Sequence, residues 1–215
     1  MERVERPRRE RVLIRPFSPE QAARLIAAPD TSVVYGLRDR AMMMLMLDSG
    51  LRISELLSLD SGRVDWLNCG VTVMGKGRKE RRVPFSAKTG QALLEYAQAR
   101  SKGQVKSGEF FLGKTGKPMC RSKARKLLLR YGRAAGIEGV RISPHTLRHT
   151  FAVLYIRNGG DSFSLQEILG HSTLEMTRRY VHLASRDVAE QHKKFSPVQQ
   201  LLKAGASEQN TYVSP

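Results

Sequence analysis

The sequence predicts an α+β fold that is mainly α-helical and carries one small antiparallel β-sheet or hairpin. Helix signals, a capping side chain followed by apolar residues three and four apart, recur from residue 18 to residue 195. One stretch, residues 63–85, switches to a period of two, with Val71, Val73, Val83 and Phe85 alternating with polar neighbours. Of 215 residues 40% are hydrophobic, enough to bury a core. The longest apolar run, Ala41 to Leu47, is far below the roughly 20 residues that cross a bilayer.

Residues 1–16 are arginine-rich without apolar periodicity and read as a flexible basic arm or the remnant of a linker. Ser18-Pro19-Glu20-Gln21 opens the first helix, with Ser18 as cap, Pro19 in the first turn and Gln21 placed to close a capping box. Pro29 stops that helix after about Ala28. A second helix runs over about 36–48, and its methionine-rich half reads as buried core in preference to an adaptable ligand surface. Ser49-Gly50 breaks it and another helix begins at Ile53, so Arg52 stands at the break. Flanked by Leu51, Ile53, Leu56 and Leu57, Arg52 would be costly to bury unpaired. It either pairs with Glu55 or waits for a phosphate.

Between the strands of residues 63–85 lies Gly75 to Arg82, a turn loaded with cations that would carry Lys76 outward. A solvated basic turn that blunts a sheet edge is the competing reading. Residues 86–100 predict a helix with Leu93, Leu94, Tyr96 and Ala97 available for packing, and Phe110–Leu112 a short extended piece. Gly113 to Pro118 is a turn without the spacing of a phosphate-cradling loop. Residues 121–135 predict a strongly basic helix whose cations, Arg121, Lys123 and Arg125 among them, face either a DNA backbone or solvent. Further helices are expected over Pro144–Arg157, Ser164–Leu169, Thr173–Val181 and Ser185–Phe195, the first ending at Asn158-Gly159-Gly160 and the second at Gly170, which suits a left-handed cap. Val198 to Leu202 suits one amphipathic turn, and 205–215 shows no ordering signal. Trp66, Tyr96, Tyr131 and Tyr155 are assigned to packing, Trp66 in the core of the sheet.

The charge balance narrows function. Lys and Arg total 37 against 20 Asp and Glu, a net charge of +17, which points to a polyanionic partner such as nucleic acid. The cations are scattered over the whole chain and not lined along one amphipathic helix, which argues against a membrane-surface role. Cys69 and Cys120 make neither a disulfide framework nor a zinc spacing, and no signal peptide opens the chain, so a cytoplasmic, reducing compartment is expected.

The most informative stretch is Ile142-Ser143-Pro144-His145-Thr146-Leu147-Arg148-His149. Ser143 can cap a helix opening at Pro144, and His145 and Arg148, three apart, share a face near its start. An imidazole and a guanidinium at a helix N-terminus suit an anion, most plainly a phosphate. His145 and His149 have the i, i+4 spacing of a zinc helix but lack the adjacent Glu and a third ligand, so no metal is expected.

Taken together, SGLRISELLSL, VMGKGRKERRVPF, SPHTLRHTFA, LGHSTLEMT and RRYVHL resemble the tyrosine recombinase, or phage integrase and Xer, family over about residues 17–195. The resemblance implies a catalytic set of Arg52, Lys76, His145, Arg148, His171 and Tyr180, with Glu55 and His182 in support, although His182 also reads as a surface histidine. A tyrosine hydroxyl ordinarily titrates near 10 and needs cations to become a nucleophile. Arg52 and Arg148 suit the non-bridging phosphate oxygens, Lys76 suits the general acid for the leaving oxygen, His145 an acid/base, and His171 a hydrogen-bond donor to the phosphate. The DNA backbone would be met by Lys76, Arg78, Lys79, Arg121, Lys123 and Arg125.

The implied course is attack by Tyr180, a 3′-phosphotyrosyl link and rejoining by a 5′-hydroxyl, with no cofactor, metal or ATP. The implied partners are double-stranded DNA and other copies of this chain, as a tetramer on DNA and a monomer in solution. Against the family's pattern, only about sixteen residues precede the first helix where a helical core-binding domain is expected, and residues 196–215 would be a tail for docking onto a neighbouring subunit. The competing functions are a DNA-binding accessory protein that does not cut, and a relaxing enzyme of the type IB topoisomerase kind.

Overall fold

Helix α1 (Pro19–Ala27) begins with the capping box expected of its sequence: Gln21 N–H donates to Ser18 Oγ at 3.1 Å and Ser18 N–H to Gln21 Oε1 at 3.0 Å. The computed structural model describes residues 15–75, 79–102, 107–183, 192–193, 195–199 and 201. After α1 come α2 (Val34–Ser49), α3 (Ile53–Leu57), strands β1 (Val64–Asp65), β2 (Gly70–Met74) and β3 (Glu80–Pro84), then α4 (Ala87–Ser101), α5 (Arg121–Ala134), α6 (Pro144–Arg157), α7 (Ser162–Leu169) and α8 (Glu175–Leu183).

α2 is the central post. Its Met42, Met43, Leu45 and Met46 are fully buried, each worth about 1.5–3 kcal/mol of transfer from water. It packs on α4 on one side and on α6 on the other. The strands form one antiparallel sheet in the order β1-β2-β3, with Val71 opposite Val83 and Val73 opposite Arg81. This register turns Val71, Val73 and Val83 to the core and sends Arg81 toward α7. A second, smaller apolar cluster joins Phe151, Leu165, Leu169 and Tyr180 from α6, α7 and α8.

Gly50 makes the break between α2 and α3 possible. Its φ of +61° is left-handed, and a Cβ there would lie 2.3 Å from the Phe151 ring, so both backbone and packing demand glycine. The turn delivers Arg52 to the N-cap of α3 and the Gly50 carbonyl to the interior.

Several expectations are corrected. Trp66 is 42% exposed, not a core residue, because β1 is two residues long and Trp66 falls in the following turn, edging Phe110 at 6.2 Å. α7 starts two residues early because the Asp161 carboxylate accepts from both Phe163 and Ser164 N–H at 2.9 Å. α8 starts two residues late, at Glu175, its first turn closed by Thr177 and Arg178 N–H donating to the Leu174 carbonyl. Phe110–Leu112, expected as a short extended piece, lies between the isolated bridges Asp60–Glu109 and Leu112–Pro118 and needs no correction. Lys76, Arg78, the arm at 1–14 and most of the helix expected over 185–195 lie outside the described residues. Among the described residues no helix is long and apolar enough to cross a membrane.

Candidate active site

Arg148 is the centre of the site. It sits one turn into α6, whose first turn is set by Ser143 Oγ capping Thr146 N–H at 3.2 Å and by Pro144. Its guanidinium is buried and donates to the Gly50 carbonyl at 2.7 Å and the Leu169 carbonyl at 2.8 Å. It thereby ties the α2–α3 break to the end of α7. Burial and the neighbouring Arg52 pull its pKa down to about 10, so it remains charged at neutral pH.

The same guanidinium lies 3.2 Å from His171 Nε2, and His171 Nδ1 lies 3.0 Å from Thr177 Oγ1. Arginine can only donate, so Nε2 accepts and Nδ1 carries the proton that Thr177 receives. Burial, with Arg148 and Arg179 beside it, pushes His171 down to about 4, so the ring is neutral. In this state His171 steadies Arg148; donating to a phosphate, its expected role, requires the other tautomer.

Arg52 caps α3 and meets Glu55. Its Nη1 donates to Glu55 Oε1 at 2.8 Å and its backbone N–H to Oε2 at 2.8 Å. Arg81 of β3 completes the arrangement with a two-pronged pair to the same carboxylate, 2.9 Å on each side, while its Nε holds the Ile168 carbonyl. Burial raises the Glu55 pKa, but hydrogen bonds from Arg81, from the Arg52 backbone and from the Arg52 side chain outweigh it, and the net shift is downward. Sequence reading placed Glu55 beside Arg52 correctly and left out Arg81. Of the two, Arg81 is nearly enclosed and Arg52 keeps 37% of its side chain exposed, free to meet an anion. Gly170, at φ +62°, lets Arg81 pass: a Cβ there would sit 3.0 Å from the guanidinium.

Arg52, His145, Arg148, His171 and Arg179 line one cleft of about 270 Å³, closed by Leu51, Ile53, Pro144 and Met176. Among the described residues no carboxylate lines it. Burial first, then Arg179, Arg148 and Arg141, lower the His145 pKa, leaving a neutral imidazole at the cleft wall. A second cleft of about 290 Å³ shares Ile53, Pro144 and His145 with the first and is lined by Arg121, Arg125 and Arg141. Arg121 and Arg125 are the i, i+4 face of α5; Lys123, two positions from each, lines neither cleft. Arg141 was missed by sequence reading, though it stands two residues before the α6 cap.

Tyr180 is set apart. It is 1% exposed, in the cluster of α6, α7 and α8, with the His149 ring at 5.2 Å and the His171 ring stacked at 6.2 Å. It does not line the cleft. Arg179 bridges the gap, donating to Tyr180 Oη at 2.7 Å with its guanidinium 4.7 Å from the ring centre. Glu55, Arg52, His145, Arg148 and His171 are thus brought together, Tyr180 lies behind Arg179, and the Lys79 backbone carbonyl closes the hairpin base by accepting from Gly75 N–H at 2.8 Å.

The two depressed histidines give a pH dependence. In the unfolded chain they bind protons near 6.5, and in the fold only at lower pH. The unfolded state is therefore favoured as protons are added, and this contribution to stability is complete above about pH 6.5 and falls toward about pH 4. Urea midpoints should drop between about pH 7 and pH 5, and His171→Gln should flatten that drop. A midpoint that holds steady over the interval for the parent protein would refute the assignment.

The chain is similar to known proteins along most of its length. The phage integrase family model matches residues 15–186. A tyrosine recombinase XerC of Chlamydia caviae is 35% identical over 91% of this chain and 63% of its own length. A tyrosine recombinase XerD of Ralstonia nicotianae is 39% identical over 84% of this chain and 60% of its own. The chain thus spans less than two thirds of the length of these relatives. Among solved structures, the XerA recombinase aligns with a TM-score of 0.73 and 28% identity over 89% of this chain and 67% of its own. The catalytic domain of bacteriophage HP1 integrase aligns with a TM-score of 0.59 and 30% identity over 86% of this chain and 97% of its own. With the match running from the first helix through the tyrosine, the chain belongs to the phage integrase family, the tyrosine recombinases.

Proposed function

We propose that residues 17–195 are the catalytic domain of a site-specific DNA recombinase that cuts and rejoins double-stranded DNA through a 3′-phosphotyrosyl link on Tyr180. The observation that carries the reading is the convergence of Arg52, His145, Arg148 and His171 on one carboxylate-free cleft, with Tyr180 one side chain behind it. Two guanidiniums are suited to a phosphorane, whose charge sits on the non-bridging oxygens. Tyr180 Oη attacks phosphorus, and the bond to the 5′-oxygen breaks. The phenol proton passes to the neutral His145 imidazole, and Lys76 protonates the leaving 5′-oxygen. In the reverse sense a 5′-hydroxyl attacks and the phosphorus–Tyr180 bond breaks. The ester energy stays in the covalent link, so the reaction calls for neither ATP nor a metal. In this reading four copies assemble on two DNA sites.

The test is a nicked duplex carrying a candidate site, incubated in EDTA and run on a denaturing gel. The cleaved strand loses its short end, rejoining is blocked, and a protein–DNA band accumulates. DNA binding without any band would make the chain an accessory protein, and relaxation of supercoiled DNA without strand exchange would favour the topoisomerase reading.

The second cleft, lined by Arg121, Arg125 and Arg141, supports a path for the DNA backbone, and the expected phosphate contacts are Lys76, Arg78, Lys79, Arg121, Lys123 and Arg125. Each phosphate contact contributes about 0.9 to the slope of log affinity against log salt. Arg125→Gln with Arg141→Gln should therefore lower the slope by roughly 1.8 on a short duplex. Lys123→Gln, whose side chain lines neither cleft, should lower it by less than half as much as either single change. Equal effects at all three positions would mean a diffuse basic surface, not a tracked strand.

A further inference from the structure

Arg179 and Tyr180 are consecutive on α8, so their side chains leave the helix about 100° apart, and only one of them can face the interior. Tyr180 takes the interior and Arg179 is exposed. The guanidinium nevertheless folds back over the Tyr180 ring, donates to Oη at 2.7 Å and lines the phosphate cleft beside Arg148, His145 and His171. Among the described residues it makes no salt bridge, whereas its neighbour Arg178 pairs with Glu175 at 3.7 Å. A long, solvent-exposed cation thus stands between the buried phenol and the cleft.

From this geometry we infer that Arg179 is a positioning residue that couples phosphate entry to release of the Tyr180 hydroxyl. The assignment rests on the reading of Tyr180 as nucleophile. A neutral phenol is a weaker partner for a guanidinium than a phosphodiester, which carries a full negative charge and can accept the planar fork through two oxygens. A phosphate entering the cleft therefore draws the guanidinium off the ring. Guanidinium has five donors in a planar fork, so it can keep one on Oη while turning others to the phosphate. The phenol oxygen then follows the guanidinium out of the α6–α7–α8 cluster toward phosphorus. Without a phosphate the same contact keeps the nucleophile covered.

The experiment has two arms. In the first, 3-fluorotyrosine is placed at position 180 and its fluorine resonance followed while tungstate, an oxyanion that mimics phosphate, is titrated into DNA-free protein. The parent protein should show a saturable shift, Arg179→Gln no shift, and Arg179→Lys a partial one. Arg178→Gln should behave as the parent. No shift in the parent, or the same shift in Arg179→Gln, overturns the inference. In the second arm, Arg179→Gln should slow single-turnover capture on the nicked duplex at least tenfold while changing duplex affinity less than threefold. Lost affinity with an unchanged capture rate would make Arg179 an ordinary backbone contact and overturn the inference. Should the parent form no covalent band at all, the recombinase reading fails, while the tungstate arm still decides whether Arg179 answers to an anion.

Discussion

Tyr180→Phe should abolish covalent capture of the nicked duplex outright and leave duplex affinity within about twofold, since the ring does not line the cleft; the lost hydrogen bond should cost about 1 kcal/mol of stability. The substitution is gentle on the fold. The Tyr180 ring fills the cluster with Phe151, Leu165 and Leu169, and phenylalanine keeps that apolar contact. What it loses is Oη, held by Arg179. No other described tyrosine can take over. The Tyr35 hydroxyl donates to the Lys114 carbonyl, that of Tyr131 to Asp39, that of Tyr155 pairs with Ser164, and that of Tyr96 accepts from Leu112 N–H; none of the four lines the cleft. A residual phenylalanine band on a denaturing gel would therefore place the nucleophile among residues other than these. Capture lost together with binding would mean that the ring itself shapes the DNA surface.

Spacing within one helix was the readable part of this site. His145 and Arg148 stand on one face because they are three apart, and Ser143-Pro144 sets where the helix starts; both facts are local and survive in the structure. Arg52 at a glycine break and Glu55 three residues on are local too. Arg81 could not be read the same way, because its partner Glu55 is 26 positions earlier and its place depends on the β2–β3 register. Arg141 and Arg125 meet only when α5 and the approach to α6 pack side by side. Tyr180 was readable as the tyrosine of the motif, but its burial behind Arg179 depends on α8 starting at Glu175, two residues later than periodicity suggests. Trp66 misled because an aromatic in an alternating stretch ordinarily faces a core, and a two-residue strand ended before reaching it.

Arg148→Lys should be the most damaging conservative change, reducing the capture rate about a thousandfold, the scale of losing a donor to a developing oxyanion. It should also cost about 2 kcal/mol of stability, because one buried carbonyl is left without a donor, or roughly 4–8 °C in Tm for a domain of this size. The reason is geometric. One planar guanidinium serves the Gly50 carbonyl, the Leu169 carbonyl and His171 Nε2, at 2.7, 2.8 and 3.2 Å, and still faces the cleft. An ammonium offers three donors from a single nitrogen and cannot span both carbonyls while presenting a flat fork to a phosphate. His171 would lose the donor that fixes its tautomer, so its Nε2 is released as well. Single-turnover capture and urea unfolding of the same variant separate the two roles. If stability falls while capture stays within tenfold, Arg148 is a staple between the α2–α3 break and α7, and the phosphate clamp rests on Arg52. If capture collapses with stability intact, the carbonyl bonds are incidental and the buried guanidinium is held there for the phosphate alone.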